Sequence, residues 1–83
     1  MAADLRQQGY EPCLVKCYSG HTYAQRPEAF LWRRRWHQVQ RVELEWQEPG
    51  LRRFIVLTES GAEFDLGYDE PQGMWWIREF AGL

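Results

Sequence analysis

The sequence FIVLTESGAEFDLGY, residues 54–68, contains two apolar segments separated by the short polar stretch ESG. Both segments are rich in β-branched and aromatic residues, which is typical of β-strands, and a short connection that contains glycine is typical of a β-hairpin. A three-residue turn over residues 59–61 consists of a type I turn followed by a left-handed residue, and Gly61 occupies that last position. A two-residue turn would require a positive φ at Ser60. We therefore predict the three-residue turn.

The length of this turn determines which side chains face the core. With the three-residue turn, Phe54 pairs with Leu66 and Val56 pairs with Phe64, and all four side chains point inward. A shift of one residue in this pairing would exchange the inward and outward faces of the strands. The two-residue alternative instead pairs Leu57 with Phe64. Under the predicted register, two apolar side chains face outward, Ile55 and Leu57.

Four further segments have the composition of strands: CLVKCY (13–18), FLWRR (30–34), RWHQVQRVELEWQ (35–47) and MWWIREF (74–80). Turn signals separate these segments at intervals of roughly 8–12 residues, which is typical of a small sandwich or barrel. We predict an all-β fold in residues 13–83, a small SH3-like barrel of about five or six antiparallel strands. An open, strongly twisted sheet is the alternative. Residues 1–12 form a short N-terminal segment, either a turn or two of helix that ends at Gly9 or a loose stretch.

The segment 35–47 alternates between apolar and charged residues only in its second half. Val42, Leu44 and Trp46 alternate with charged residues, which predicts that they share one face. Trp36, Val39 and Val42 cannot share one face of a regular strand, because the spacings of three residues between them are odd. We therefore expect a bulge or bend near residues 38–41.

The overall composition limits the function classes. A chain of 83 residues corresponds to one domain, and no run of about 18 apolar residues predicts a transmembrane helix. The start MAADLRQQGYEP has no basic segment followed by an apolar one, so we expect a cytoplasmic protein without a secretory signal. Seven of the ten Lys and Arg residues lie in residues 1–41, and nine of the twelve acidic residues lie in residues 42–83. With a pI near 5.6, the domain lacks the strongly basic composition of most duplex-binding proteins.

Cysteine and histidine residues do not form a recognisable metal or catalytic pattern. On one strand, Cys13 and Cys17 lie about 13 Å apart at ~3.3 Å per residue, too far for a disulfide or for one shared metal ion. His21 and His37 lack a second ligand pair at a typical spacing. The sequence also contains no recognisable nucleophile–base pattern and no phosphate-binding loop. We expect no metal, no cofactor and no catalytic residues, and hence a protein that is not an enzyme.

The stretch WRRRW, residues 32–36, has two interpretations. As a hairpin turn, Arg33–Arg35 would project into water, with Trp32 and Trp36 packed together at its base. As a nucleic-acid candidate, the five residues Trp32, Arg33, Arg34, Arg35 and Trp36 would bind a single strand by combining cations with a stacking aromatic ring. This second interpretation requires Lys16, Arg26 or Arg41 to join the arginines in one patch.

The stretch MWWI, residues 74–77, indicates a protein interface. Alternation directs Trp75 and Ile77 to one side and Trp76 to the other, and we expect the first pair to face inward. Trp76 would then lie outside with Ile55 and Leu57, and these three residues are the protein-interface candidate. Three alternatives could cover them: residues 1–12, a second copy of the chain, or a partner protein.

The succession RPEAFLWRRRWHQV, VELEW, FIVLTESGAEFDLGYD and MWWI resembles an uncharacterised family of small bacterial β domains. A similar domain closes the C-terminus of catalytically inactive Y-family polymerase-like proteins of the mutasome type. The similarity spans about residues 14–80 and implies a small β fold. It implies a role near DNA damage tolerance only through the association with the mutasome-type proteins. The chain departs from the pattern at WRRRW, where a glycine-bearing turn is expected, and at the apolar positions 55 and 57.

These observations together predict a non-enzymatic binding module that docks a protein partner or self-associates, in the setting of DNA repair or damage tolerance. The alternative is a single-stranded nucleic-acid binder that uses residues 32–36. Neither interpretation involves a membrane. Salt dependence distinguishes the two, because binding to phosphates weakens steeply as salt rises.

Overall fold

The computed structural model describes residues 5–17 and 26–81, which contain only β-strands and turns. These residues form seven strands: β1 (Glu11–Cys13), β2 (Val15–Cys17), β3 (Pro27–Trp32), β4 (Arg35–Glu48), β5 (Leu51–Thr58), β6 (Glu63–Asp69) and β7 (Met74–Glu79). Every pair of neighbouring strands is antiparallel, and the order in the sheet is β1-β7-β6-β5-β4-β3-β2. In this described part, no helix could cross a membrane.

The first two strands are the two halves of one extended segment that bends at Leu14. β1 pairs with β7, and β2 pairs with β3, so this segment joins the two ends of the sheet. The backbone N–H of Leu31 also donates to the carbonyl of Leu14 at 2.9 Å, which continues the pairing through the bend. The sheet is therefore a nearly closed barrel. This confirms the predicted all-β barrel and not the open-sheet alternative.

The β5–β6 hairpin has the predicted three-residue turn. Phe54 pairs with Leu66, and Val56 pairs with Phe64. Gly61 has a φ of 92°, the left-handed conformation that the turn requires. The core therefore contains the four residues predicted from this hairpin, together with Ile77. The buried residues of the core are Phe30, Phe54, Val56, Phe64, Leu66 and Ile77.

Strand β4 has two irregularities. The first lies between Val39 and Arg41, as predicted, and the second lies between Val42 and Leu44. Because of the second, Val42 packs against the core, whereas Leu44 and Trp46 are 50% and 38% exposed. The prediction that Val42 shares a face with Leu44 and Trp46 is therefore wrong. The alternation of the sequence is regular here, but the extra residue of a bulge reverses the faces beyond it.

The described part of the N-terminal segment, residues 5–10, forms one hydrogen-bonded turn that ends at Gly9. Tyr10 N–H donates to the Leu5 carbonyl at 3.0 Å, and Gly9 N–H donates to the Arg6 carbonyl at 3.1 Å. These two bonds, with a φ of 92° at Gly9, make the Schellman arrangement that usually ends a helix. Leu5 and Tyr10 are then directed to the same side. Both belong to a second apolar cluster on the outer face of the barrel, with Leu51, Trp76 and Met74.

Candidate functional site

The β3–β4 turn contains two arginines, not three. Arg33 and Arg34 have φ values of 51° and 68°, whereas Arg35 is the first residue of β4 and lies opposite Trp32. Two successive positive φ values are typical of a type I′ hairpin turn, which strongly favours Asn-Gly. In a residue with a Cβ, the left-handed conformation costs roughly 1–2 kcal/mol. The turn therefore places cationic side chains at its tip at a cost to the stability of the fold.

The two tryptophans that flank the turn point to opposite sides of the sheet. Trp32 packs inward against Phe64, with ring centroids 5.4 Å apart. Trp36 lies opposite Leu31, faces outward and is 49% exposed. The expectation that Trp32 and Trp36 pack together is wrong, because Trp36 pairs with the residue before Trp32 and neighbouring residues on a strand face opposite ways.

Trp36 belongs to an exposed surface that we call the hairpin face. The alternation of residues 13–17 directs Cys13 and Val15 toward the core and leaves Leu14 and Lys16 outside. Leu14 is 64% exposed, and the Lys16 ammonium lies 5.9 Å from the centroid of the Trp36 ring. Antiparallel pairing then brings an apolar centre next to the arginine turn. The hairpin face consists of Leu14, Lys16, Leu31 and Trp36, and Arg34 lies at the adjoining tip of the turn. Arg35 pairs with Trp32 on the opposite face, and the Arg33 guanidinium lies 5.1 Å from the centroid of the Trp32 ring.

The cations of the hairpin face differ from those elsewhere on the barrel. Within residues 5–17 and 26–81, carboxylates lie within 4 Å of the arginines at positions 26, 41, 52, 53 and 78. Arg33 has one acidic neighbour, Glu79 at 3.9 Å, and both side chains are largely exposed. No ion pair among the described residues involves Lys16, Arg34 or Arg35. Lys16 on the hairpin face and Arg34 and Arg35 at the turn are therefore available to a ligand, although Arg35 points to the opposite side of the sheet from Trp36.

Of the three residues proposed to extend the arginine patch, only Lys16 lies on the hairpin face, where it pairs with Ala29 and its ammonium lies beside Trp36. Arg26 bonds to Glu45 at 3.3 Å, and Arg41 bonds to Glu43 at 3.3 Å. Both arginines are thereby neutralised by carboxylates of β4, away from the turn.

The other predicted surface, Ile55, Leu57 and Trp76, is not open. Trp76 packs in the outer cluster while Trp75 contacts the core, as the alternation predicts. However, Trp76 is only 7% exposed and Ile55 only 3%, and Leu57 is half-buried. Leu5 and Tyr10 pack with Trp76, and the Arg6 guanidinium lies 5.2 Å from the centroid of its ring. Three alternatives were given for what covers these three residues, and the structure shows the N-terminal segment over Trp76.

A buried polar network attaches the N-terminal segment to the barrel. Oδ2 of Asp65 accepts hydrogen bonds from the Tyr10 hydroxyl at 2.6 Å, from Arg53 at 2.9 Å and from Arg78 at 3.2 Å. Arg78 also donates to the carbonyl of Gln8 at 2.7 Å. Burial, and secondarily the hydrogen bond to Asp65, raises the pKa of Tyr10 above its ordinary value. The sequence analysis did not identify this network. The signal for it was Asp65 within the apolar stretch FDLGY, because a buried carboxylate requires hydrogen-bonding partners.

Cys13 and Cys17 lie on the predicted extended segment, and both are unpaired and half-buried. Cys13 Sγ donates to the Leu31 carbonyl at 3.4 Å, and burial raises the pKa of this thiol to about 11. His37 stacks on Phe30, with ring centroids 5.4 Å apart. His21 lies outside the described residues. No group of three or more metal-ligating side chains occurs in the part of the chain that the structure describes.

Comparison with protein-family models, curated proteins and solved structures finds no match. The resemblance to small bacterial β domains therefore stays a prediction, and the geometry of the surface carries the functional argument.

Proposed function

We propose that this protein is a non-enzymatic binding module that docks a protein partner through the hairpin face. The observation that carries this proposal is the exposed apolar centre of Leu14 and Trp36, with Lys16 on one side of it and the tip of the arginine turn on the other. Protein interfaces combine an apolar centre with a polar rim, and tryptophan and arginine contribute most often to their binding energy. On the basis of the resemblance, we propose that the module acts in a cytoplasmic assembly of DNA damage tolerance.

The conformation of the turn supports a role of the arginines outside folding. Residues held in unfavourable backbone conformations occur preferentially at functional sites. Arg33 and Arg34 both occupy the left-handed region at an exposed tip, where glycine would remove the strain. The Arg33 guanidinium lies 5.1 Å from the centroid of the Trp32 ring, but both arginines remain exposed, so neither offsets the backbone strain through burial. A ligand that binds the cations accounts for their presence there.

A second pair of exposed apolar residues, Leu44 and Trp46, is less suited to docking. Trp46 Nε1 donates to Glu48 at 2.9 Å, and the Arg53 guanidinium lies 5.1 Å from the centroid of the Trp46 ring. Arg53 in turn bonds to Glu48 at 3.3 Å. The polar groups around Trp46 are thus satisfied within the chain. These residues serve as matched controls, because Trp46 and Leu44 are comparable in exposure to Trp36 and Leu14.

Binding of single-stranded nucleic acid through the same face is the second candidate, and Lys16 beside Trp36 is the observation that favours it. Four cations lie in and around the hairpin: Lys16 beside Trp36, and Arg33, Arg34 and Arg35 at the turn. With a slope of about −0.7 per phosphate contact, four contacts predict a roughly 50-fold loss of affinity between about 50 and 200 mM salt. A protein interface with an apolar centre should lose less than about tenfold, since exposed ion pairs contribute little.

The test is affinity capture from the native cell with wild-type protein, Trp36→Ala and Trp46→Ala, followed by mass spectrometry. We expect a specific protein that is captured by the wild type and by Trp46→Ala but is lost with Trp36→Ala. A labelled oligo-dT is titrated in parallel at two salt concentrations. Capture that is unaffected by Trp36→Ala would contradict the proposal, and tight, steeply salt-dependent binding of oligo-dT would favour the second candidate.

A further inference from the structure

The second half of β4 forms a free edge of the sheet. Strand β4 pairs with β3 only through residues 35–38, whereas residues 44–48 pair in regular register with β5. Within residues 5–17 and 26–81, no strand pairs with the other side of residues 44–48. Glu45 is exposed as a residue although its side chain is only 30% exposed, so the open surface here includes the backbone. An unpaired edge presents N–H and carbonyl groups that can pair with another strand.

The features that usually protect a free edge are weak along residues 44–48. Bulges and charged side chains prevent edge-to-edge pairing in many β proteins. Both irregularities of β4 lie before Leu44, so they leave this stretch regular. The carboxylate of Glu45 bonds to Arg52 at 2.8 Å and to Arg26 at 3.3 Å. The negative charge of Glu45 is therefore neutralised within the chain, which weakens its repulsion of another carboxylate.

Two exposed apolar side chains flank Glu45 on one face of the edge. Leu44 and Trp46 pair with β5 residues on either side of Phe54, which faces the core, so both point to the outer face of the barrel. Both are large and exposed. The order of apolar, acidic and apolar residues is symmetric about Glu45. Such an order is complementary to its own antiparallel copy.

The register of a symmetric pairing follows from the side chains. Opposite residues of an antiparallel pair share a face, so a two-fold axis through the sheet places one residue opposite its own copy. With Glu45 at the axis, Leu44 of each copy lies opposite Trp46 of the other, which makes two apolar cross-strand pairs. With Leu44 at the axis, Glu43 would lie opposite Glu45. With Trp46 at the axis, Leu44 would lie opposite Glu48. The side chains therefore favour the register centred on Glu45.

We propose that a second copy of this chain pairs antiparallel with the free edge of β4, so that the two sheets continue across a two-fold axis at Glu45. This inference goes beyond the proposed function and does not rest on it. Trp36 of the hairpin face lies at the other end of β4, so the dimer presents two docking faces and Trp46→Ala remains a control for capture of the partner. The contact is short, and small interfaces are typical of weak complexes. We therefore expect a dimer that dissociates on dilution.

Sedimentation of the full chain over a concentration series tests the pairing. We expect the mean mass to rise from that of a monomer toward that of a dimer between about 10 μM and about 1 mM, which corresponds to a weak interface. The double variant Leu44→Lys/Trp46→Lys should stay monomeric, because lysine on an edge opposes pairing. Its matched control is Leu14→Lys/Trp36→Lys, which changes similarly exposed residues and should dimerise like the wild type. Circular dichroism confirms that each variant is folded.

A cysteine at the axis tests the register. In a chain that carries Cys13→Ser and Cys17→Ser, Glu45→Cys places two thiols on residues whose Cα atoms lie about 4.5–5.5 Å apart, within reach of a disulfide. Mild oxidation should then produce a covalent dimer. Gln47→Cys is the matched control, because four positions along the ladder, about 13 Å, separate this residue from its own copy. We expect this control to remain monomeric under the same oxidation.

The outcomes separate a second copy from other occupants of the edge. A chain that stays monomeric at about 1 mM, with no covalent dimer of Glu45→Cys, would overturn the inference. Equal oxidation of Glu45→Cys and Gln47→Cys would exclude the symmetric register. A dimer that is lost in Leu14→Lys/Trp36→Lys but kept in Leu44→Lys/Trp46→Lys would place the self-contact on the hairpin face and overturn the inference as well. Slow amide exchange of residues 44–48 in a monomeric chain would show that another part of the same chain covers the edge.

Discussion

The hydroxyl of Tyr10 lies 2.6 Å from Oδ2 of Asp65, although 55 positions separate the two residues in the sequence. Tyr10 is 3% exposed and Asp65 is 1% exposed, so this bond is shielded from water. The guanidiniums of Arg53 and Arg78 bind the same carboxylate oxygen. Arg78 also lies over the Tyr10 ring, with 4.4 Å between its central carbon and the ring centroid. The N-terminal segment is thus attached to the centre of the β5–β6–β7 surface.

Replacing Tyr10 by Phe should destabilise the protein by about 1–3 kcal/mol, because a buried acceptor loses a donor while the ring remains. Equilibrium unfolding in urea, followed by tryptophan fluorescence, measures the change. Tyr68→Phe is the matched control, since Tyr68 is half-buried and packs its ring on Trp75. Equal effects of the two substitutions would show that the bond between Tyr10 and Asp65 is not responsible.

High pH should destabilise the fold through Tyr10. Burial raises the pKa of Tyr10 in the folded state above the unfolded value of about 10. The stabilisation is therefore fully present below about pH 10 and is lost as the pH rises toward the pKa of the folded state. Urea unfolding at a series of pH values should show stability falling above pH 10, with a smaller fall in Tyr10→Phe. An identical pH dependence in the two proteins would contradict the expectation.

Removing the N-terminal segment should expose an apolar surface on the isolated domain. A chain that begins at Glu11 lacks Leu5 and Tyr10, which pack with Trp76. Loss of two buried apolar side chains costs about 3 kcal/mol or more, and exposed Trp76 should promote association. Light scattering and thermal unfolding measure both effects. A monomeric chain of undiminished stability would show that the segment does not cover Trp76 in solution.

The arginine turn should tolerate substitution and even gain stability from the right residues. Arg33→Asn with Arg34→Gly matches the Asn-Gly preference of this turn type, and we expect a net gain of about 1 kcal/mol after the entropic cost of glycine. Arg35→Gly removes one positive charge from a strand position, where glycine is unfavourable, so this control should lose stability. Replacing all three arginines by Ser should change stability by about 0.5 kcal/mol or less per site. Unfolding of that triple variant would show that the guanidiniums are needed for folding.

The thiols should remain reduced and react slowly. Because burial raises the pKa of Cys13 to about 11, its thiol is neutral near pH 8 and is a poor nucleophile. The Cys13 thiol should not change the free energy of unfolding below about pH 8.5, the pKa of a thiol in the unfolded chain. This free energy should fall as the pH rises from there toward 11, the pKa of Cys13 in the folded state. Intact-mass spectrometry should show neither the loss of two protons nor bound zinc. Alkylation of Cys13 at pH 8 as rapid as that of a free thiol would contradict the burial.

Local chemistry explains which features could be predicted. The β5–β6 register followed from Gly61 and the length of the turn, and the inward orientation of Trp75 and Ile77 followed from simple alternation. The second bulge in β4 was missed because residues 42–46 alternate regularly, so that no turn residue or break in the pattern marks the extra residue. A two-residue turn at Arg33 and Arg34 was missed because arginine is an uncommon residue at positive φ.

The fold class, the β5–β6 hairpin and the inward side of its strands follow from the amino-acid sequence, because alternation and turn conformation depend on residues a few positions apart. Which surfaces are open depends on how distant segments pack in the folded barrel. Tyr10 reaches Asp65 and covers Trp76 because β1 pairs with β7. Leu14 and Lys16 join Leu31 and Trp36 because β2 pairs with β3 after the bend at Leu14. Closure of a barrel brings together residues from distant parts of the chain, and no local pattern encodes which of them meet.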